Sequence, residues 1–142
     1  MAEEILARIK DRFSTRVLKV FEKSPRRIYI DFDSKYVPEV VNFIFRDLGG
    51  RLSTVTGIDT RKNIELLYHF SFDSSGTIIS LRTLIDRNNP EIESVTPIIR
   101  GAEWIEREIN ELFGVSFIGH PCLKRLLLSK DWPEGKYPLR RE

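Results

Sequence analysis

Residues 63–72, NIELLYHFSF, decide the fold: Ile64, Leu66, Tyr68, Phe70 and Phe72 alternate with Glu65, Leu67, His69 and Ser71. A period of two marks a strand that buries one face. On either side lie two more β-rich runs, RLSTVTGID at 51–59 and TIISLRTLI at 77–85, the second reached through Asp73-Ser74-Ser75-Gly76. That tetrapeptide suits a hairpin turn, so the three runs predict an antiparallel meander with one apolar face to cover.

The cover is predicted upstream. In SKYVPEVVNFIFRDLGG (34–50) Pro38 suits a first helical turn, Glu39 favours the positive end of the helix dipole, and Gly49-Gly50 supplies a left-handed stop. Its stripe of Val40, Val41, Ile44, Phe45 and Leu48 needs a sheet to pack on. Near the N-terminus Ile5, Leu6, Ile9 and Phe13 share one side of a shorter helix, and TRVLKVFEKSPRRIYIDF (15–32) gives two β-rich runs around Ser24 and Pro25. Together these predict an α+β domain, a largely antiparallel sheet with helices on one face, over residues 1–118. A loop and an extended C-terminal arm are expected over 119–142, because Pro121, Pro133 and Pro138 interrupt the chain there.

Composition narrows the function. A chain of 142 residues fits one domain, and 41% hydrophobic with 31% charged residues is ordinary for a folded soluble protein. No run approaches the roughly 18 apolar residues that a membrane span needs, and MAEEILARIK carries charges where a signal peptide is apolar, so the chain is expected to stay in the cytosol. The single cysteine, Cys122, excludes an internal disulfide and a multi-cysteine zinc or iron–sulfur cage. The net charge of +2 is small, but residues 119–142 carry six Lys/Arg against three acids.

Residues 102–113 predict an amphipathic helix with Ile105, Ile109, Leu112 and Phe113 inward and Trp104 at the margin. Glu108 falls between Trp104 and Leu112, so it is expected to be half-buried and neutralised by a cation, with Arg125 or Arg140 as supplier. Glu106, Arg107 and Glu111 read as a solvated face, with Glu103–Arg107 and Arg107–Glu111 spaced for helical ion pairs. Gly114 is the expected stop. His120 and Cys122 are two apart on a loop, a poor spacing for a nucleophile and its base, and with His69 they are too few for zinc. His120-Pro121 is read as shaping the loop after a strand VSFI, with Cys122 inert. Beyond it Leu123, Leu126, Leu127, Leu128, Trp132, Tyr137 and Leu139 cannot all turn inward in a proline-broken chain, and apolar groups mixed with Arg suit a protein–protein contact.

An ordered series runs through this region: Trp104, Glu106-Arg107-Glu108, Glu111, Leu112-Phe113-Gly114, Phe117, Gly119-His120-Pro121, Leu123, Arg125, Leu126-Leu127, Asp131-Trp132 and Pro138-Leu139-Arg140. It resembles the thirty-kilodalton-type (C) subunit of respiratory complex I, the NADH:quinone oxidoreductase, and the equivalent subunit of membrane-bound NiFe hydrogenases. Asn110, Glu111, Cys122 and Lys124 depart from that pattern, which often has an aromatic, aspartate, an acid and arginine there. The resemblance implies a non-catalytic, cofactor-free scaffold subunit of a membrane-associated, ion-translocating electron-transport complex. Its implied partners are the large NiFe-hydrogenase-like subunit and a neighbouring iron–sulfur subunit. The implied place is peripheral, on the cytoplasmic side of the cell membrane, touching the membrane only through the complex. The short chain favours a hydrogenase-type or other archaeal-style complex over the NADH–quinone enzyme. The motif residues expected to bind partners are Glu106, Arg107, Glu108, His120, Pro121, Leu123, Arg125, Leu126, Trp132, Leu139 and Arg140. The alternative, a nucleic-acid-binding module using the basic tail, has thin support, because Asp131 and Glu134 interrupt the cations.

Overall fold

A computed structural model describes residues 2–141. Helix α1 (Ala2–Phe13) leads through a short 3-10 turn into the hairpin β1 (Val17–Ser24) and β2 (Arg27–Phe32). Helix α2 (Val37–Asn42) continues as a π-helical segment, Phe43–Asp47. The meander β3 (Arg51–Asp59), β4 (Asn63–Phe72) and β5 (Thr77–Asp86) follows, then β6 (Glu91–Glu93), α3 (Ala102–Phe113) and β7 (Ser116–Ile118).

The five-stranded sheet has the order β1-β2-β5-β4-β3 and is antiparallel except for the β2–β5 pair. That parallel pair was not anticipated. It arises because the chain leaves β2 through α2 and returns to it only at β5, and parallel neighbours require such a crossover. As expected, Ile64, Leu66, Tyr68, Phe70 and Phe72 are buried, sharing a face with Ile28, Ile30, Ile79 and Leu81. Leu6, Ile9 and Phe13 of α1 and Val40, Val41 and Ile44 of the second helical segment close that face. Phe13 meets Phe32 and Phe43 edge-on, with centroids 5.6 Å apart in both pairs. The opposite face is largely polar: Thr56 and Ser80 bond the two ring nitrogens of His69, and Arg82 clasps Asp31 at 2.8 Å.

Helix α3 joins the same face where β3 has Gly57. A Cβ there would lie 2.8 Å from the ring of Phe113, so only glycine admits the helix. Strands β6 and β7 form a second, two-stranded parallel sheet, of which β7 lies against α3. Strand β7 matches the expected VSFI run; β6 was not foreseen.

Candidate partner-docking site

The buried stripe of α3 is Ala102, Glu106, Ile109 and Phe113. The acid on it is Glu106, fully buried, whereas Glu108 is exposed, and this corrects the expectation for Glu108. Measured against the face of Ile105, Ile109, Leu112 and Phe113, Glu106 and Glu108 each lie about 80° from its centre, on opposite sides. Ala102 tips the balance toward Glu106. Its carboxylate is satisfied without a cation: Oε1 accepts from Ser94 Oγ and Thr96 Oγ1, both at 2.5 Å, and Oε2 from the Val95 N–H at 3.0 Å. The suppliers expected for Glu108 bond carbonyl oxygens instead.

Glu111, also expected in solvent, is buried under the arm. It accepts three consecutive backbone N–H groups, Leu126 at 3.0 Å, Leu127 at 2.7 Å and Leu128 at 3.1 Å. Burial alone would raise its pKa, but these amides, with Arg125 behind them, more than offset that and hold the carboxyl below the usual glutamate range. One turn earlier Arg107 stacks on Trp104 and donates to the carbonyls of Lys124 and Arg125 at 3.1 and 2.7 Å. Glu111 thus holds amides and Arg107 holds carbonyls of the same segment. The helical pairs expected for Arg107 give way to this clamp.

His120 is a staple for the loop. Its Nδ1 accepts the Cys122 N–H at 2.9 Å, which places the ring proton on Nε2, 3.0 Å from the Glu103 carbonyl. Nε2 lies 4.0 Å from Glu106, but the ring in this tautomer is neutral, so the contact is not an ion pair. Pro121 and Leu123 lie exposed beside it and Leu126 is half-buried.

Further along, Arg125 gathers the loop by donating to the carbonyls of Ser129 and Trp132, and the Trp132 indole N–H donates to the Lys136 carbonyl at 2.8 Å. The arm then returns to the end of α3. The Leu139 N–H reaches the Leu112 carbonyl at 3.0 Å, and Arg140 Nε the Phe113 carbonyl at 2.6 Å. These are orphan acceptors at the negative end of the helix, where a guanidinium is doubly suited. Gly114 takes φ +78°, and a Cβ on it would strike the Tyr137 ring at 2.5 Å. The arm's backbone is therefore bonded to its own domain. Its large side chains are not absorbed: Leu127 is 62% exposed, Leu139 50% and Trp104 of α3 60%. A cleft of about 320 Å³ between α3 and the arm is lined by Glu111, Arg125, Trp132 and Tyr137 among others.

Sequence reading missed Ser94 and Thr96, which hold Glu106. Nothing in their local pattern marks them, since the carboxylate that they bond lies 12 and 10 residues along the chain.

Residues 30–142 match the family model described as respiratory-chain NADH dehydrogenase, 30 Kd subunit. The chain belongs to this family. Within the 30 Kd family it is 33% identical over 144 residues to the C-type subunit of F(420)H(2) dehydrogenase from Methanosarcina mazei, covering 99% of this chain and 90% of that one. It is 34% identical over its whole length to formate hydrogenlyase subunit 5 of Escherichia coli K12. There it spans only 26% of the relative's length. A chain in the solved structure of the membrane-bound sulfane sulfur reductase, an archaeal respiratory membrane complex, shares the fold, with a TM-score of 0.84 at 24% identity over 97% of this chain and 82% of that one.

Proposed function

We propose that this member of the 30 Kd family is a non-catalytic scaffold subunit of a membrane-associated, ion-translocating oxidoreductase complex of the complex I or membrane-bound NiFe hydrogenase type. Its α3–arm surface braces the large NiFe-hydrogenase-like subunit, with an iron–sulfur subunit as neighbour, at a peripheral position on the cytoplasmic side of the membrane. No helix among the described residues is long and apolar enough to cross a bilayer, and contact through the complex accounts for the association.

One observation carries the reading: Glu111 and Arg107 fix the arm's backbone while Leu127, Leu139 and Trp104 stay turned outward. A backbone held in shape by buried charge, with large apolar groups facing away from the core, suits a protein partner. Arg125 and Arg140 spend N–H donors on carbonyls, which leaves fewer for phosphate contacts and weakens the nucleic-acid alternative.

The test is gentle extraction of the tagged chain with its membranes. The large subunit is expected in the eluate from the wild-type chain and to fall about tenfold or more with Glu111→Gln, which turns an acceptor into a donor facing backbone N–H groups. Undiminished recovery with Glu111→Gln would contradict the arm's role, and no large subunit with either chain would contradict the assignment itself.

A further inference from the structure

Asp59, at the end of β3, is buried, with a side chain 0% exposed, although no sequence signal or motif marks it. Each oxygen has two donors. Oδ1 accepts Arg87 Nε at 2.9 Å and the Arg61 N–H at 2.8 Å; Oδ2 accepts Arg87 Nη2 at 3.0 Å and the Arg141 N–H at 2.7 Å. Arg87 Nη2 also donates to the Arg141 carbonyl. The two halves of the carboxylate thus do separate work. Oδ1 steadies the β3–β4 turn, where Arg61 adopts φ +74°. Oδ2 and Arg87 grip both backbone groups of one residue at the far end of the arm.

We propose that Asp59 and Arg87 are positioning residues for the docking surface: a catch that fastens the arm's distal end to the sheet, so that the arm meets its partner already shaped. Three attachments then divide the arm. Glu111 and Arg107 hold residues 124–128, the end of α3 holds 139 and 140, and the catch holds 141. Preforming a surface removes ordering cost from the binding step. This purpose rests on the docking function proposed above, whereas the catch itself is a property of the isolated chain.

The chemistry predicts an unusual mutational pattern. The catch uses only the backbone of residue 141, so Arg141→Ala leaves it intact while Arg141→Pro removes the donor. Asp59→Asn keeps an acceptor for the Arg61 turn but can place a donor against the Arg141 N–H and Arg87. Hydrogen exchange of the full chain reads the outcome at the Leu139 amide, with Tyr68 in β4 as the internal reference. Exchange at Leu139 is expected to rise about tenfold or more in Asp59→Asn and Arg141→Pro, the scale of a lost bond to a charged group. Arg141→Ala is expected to match wild type, and Tyr68 to stay protected in Arg141→Pro. Leu139 exchange unchanged in Arg141→Pro, or raised equally by Arg141→Ala, would overturn the catch. If Asp59→Asn fails to fold, the two Arg141 variants decide the matter alone. Failure of the docking function would instead appear as normal Leu139 protection with no partner recovered.

Discussion

Three of the four acids on α3 meet three different fates. Glu106 sits in the core with three donors, Glu111 lies under the arm with three more, and Glu108 faces water. Glu106→Ala would leave the Ser94 and Thr96 hydroxyls and the Val95 amide without their acceptor. It is expected to cost about 3 kcal/mol, or roughly 10 °C in Tm for a domain of this size. Glu108→Gln is expected to leave Tm within about 1 °C, in keeping with exposed sites. Equal losses from both would contradict the burial assignments. Glu111 adds a pH signature. Because its folded pKa is depressed below the ordinary value near 4.5, its contribution is fully present above that value and is lost as pH falls through the folded one. Amide protection at Leu126–Leu128 is therefore expected to hold at neutral pH and down to the ordinary glutamate value, and to decline only as pH falls through the depressed folded one, whereas Glu111→Gln should lack that step. Tyr68 is the converse case: its phenol has no partner among the described residues, and burial with Glu106 nearby pushes its pKa up. Tyr68→Phe removes an orphan hydroxyl and is expected to hold or raise Tm; a loss above about 1 kcal/mol would show that the hydroxyl is bonded.

Helix α3 shows what a wheel can and cannot reveal. Its limits and its glycine stop were readable at Phe113-Gly114, because helix propensity and left-handed geometry are local. Its second buried flank was not, because the covering groups come from 94–96 and from the arm, chain segments with no helical period of their own. A single-sided stripe assumes one packing partner; α3 has several, among them the sheet at Gly57, the 94–96 turn and the arm. The end of the helix is the sharpest place to probe them. Gly114→Ala must adopt φ +78° and push the Tyr137 ring aside, so a loss of about 2 kcal/mol or more is expected from chemical denaturation, with arm amides exchanging faster. A loss below about 0.5 kcal/mol would mean that Tyr137 does not rest there.

At the scale of the molecule, the strands of the meander and the β1–β2 hairpin were legible because alternation and turn chemistry are written within a few residues. The parallel β2–β5 pair was not, since it depends on where a helix returns the chain. Nor was β6, whose three residues are too few to show a period. The arm was half legible: its prolines announced an irregular segment, but its attachment runs through backbone groups, which carry no sequence signature. The outcome is a domain whose core is complete without the arm's large side chains, leaving Leu127 and Leu139 facing outward. The double substitution Leu127→Asp and Leu139→Asp tests this directly by comparing Tm of the isolated chain with recovery of the large subunit after gentle extraction. The docking account predicts Tm within about 2 °C of wild type and recovery reduced at least tenfold; a lowered Tm with undiminished recovery would show that these side chains serve the domain's own interior and contradict it.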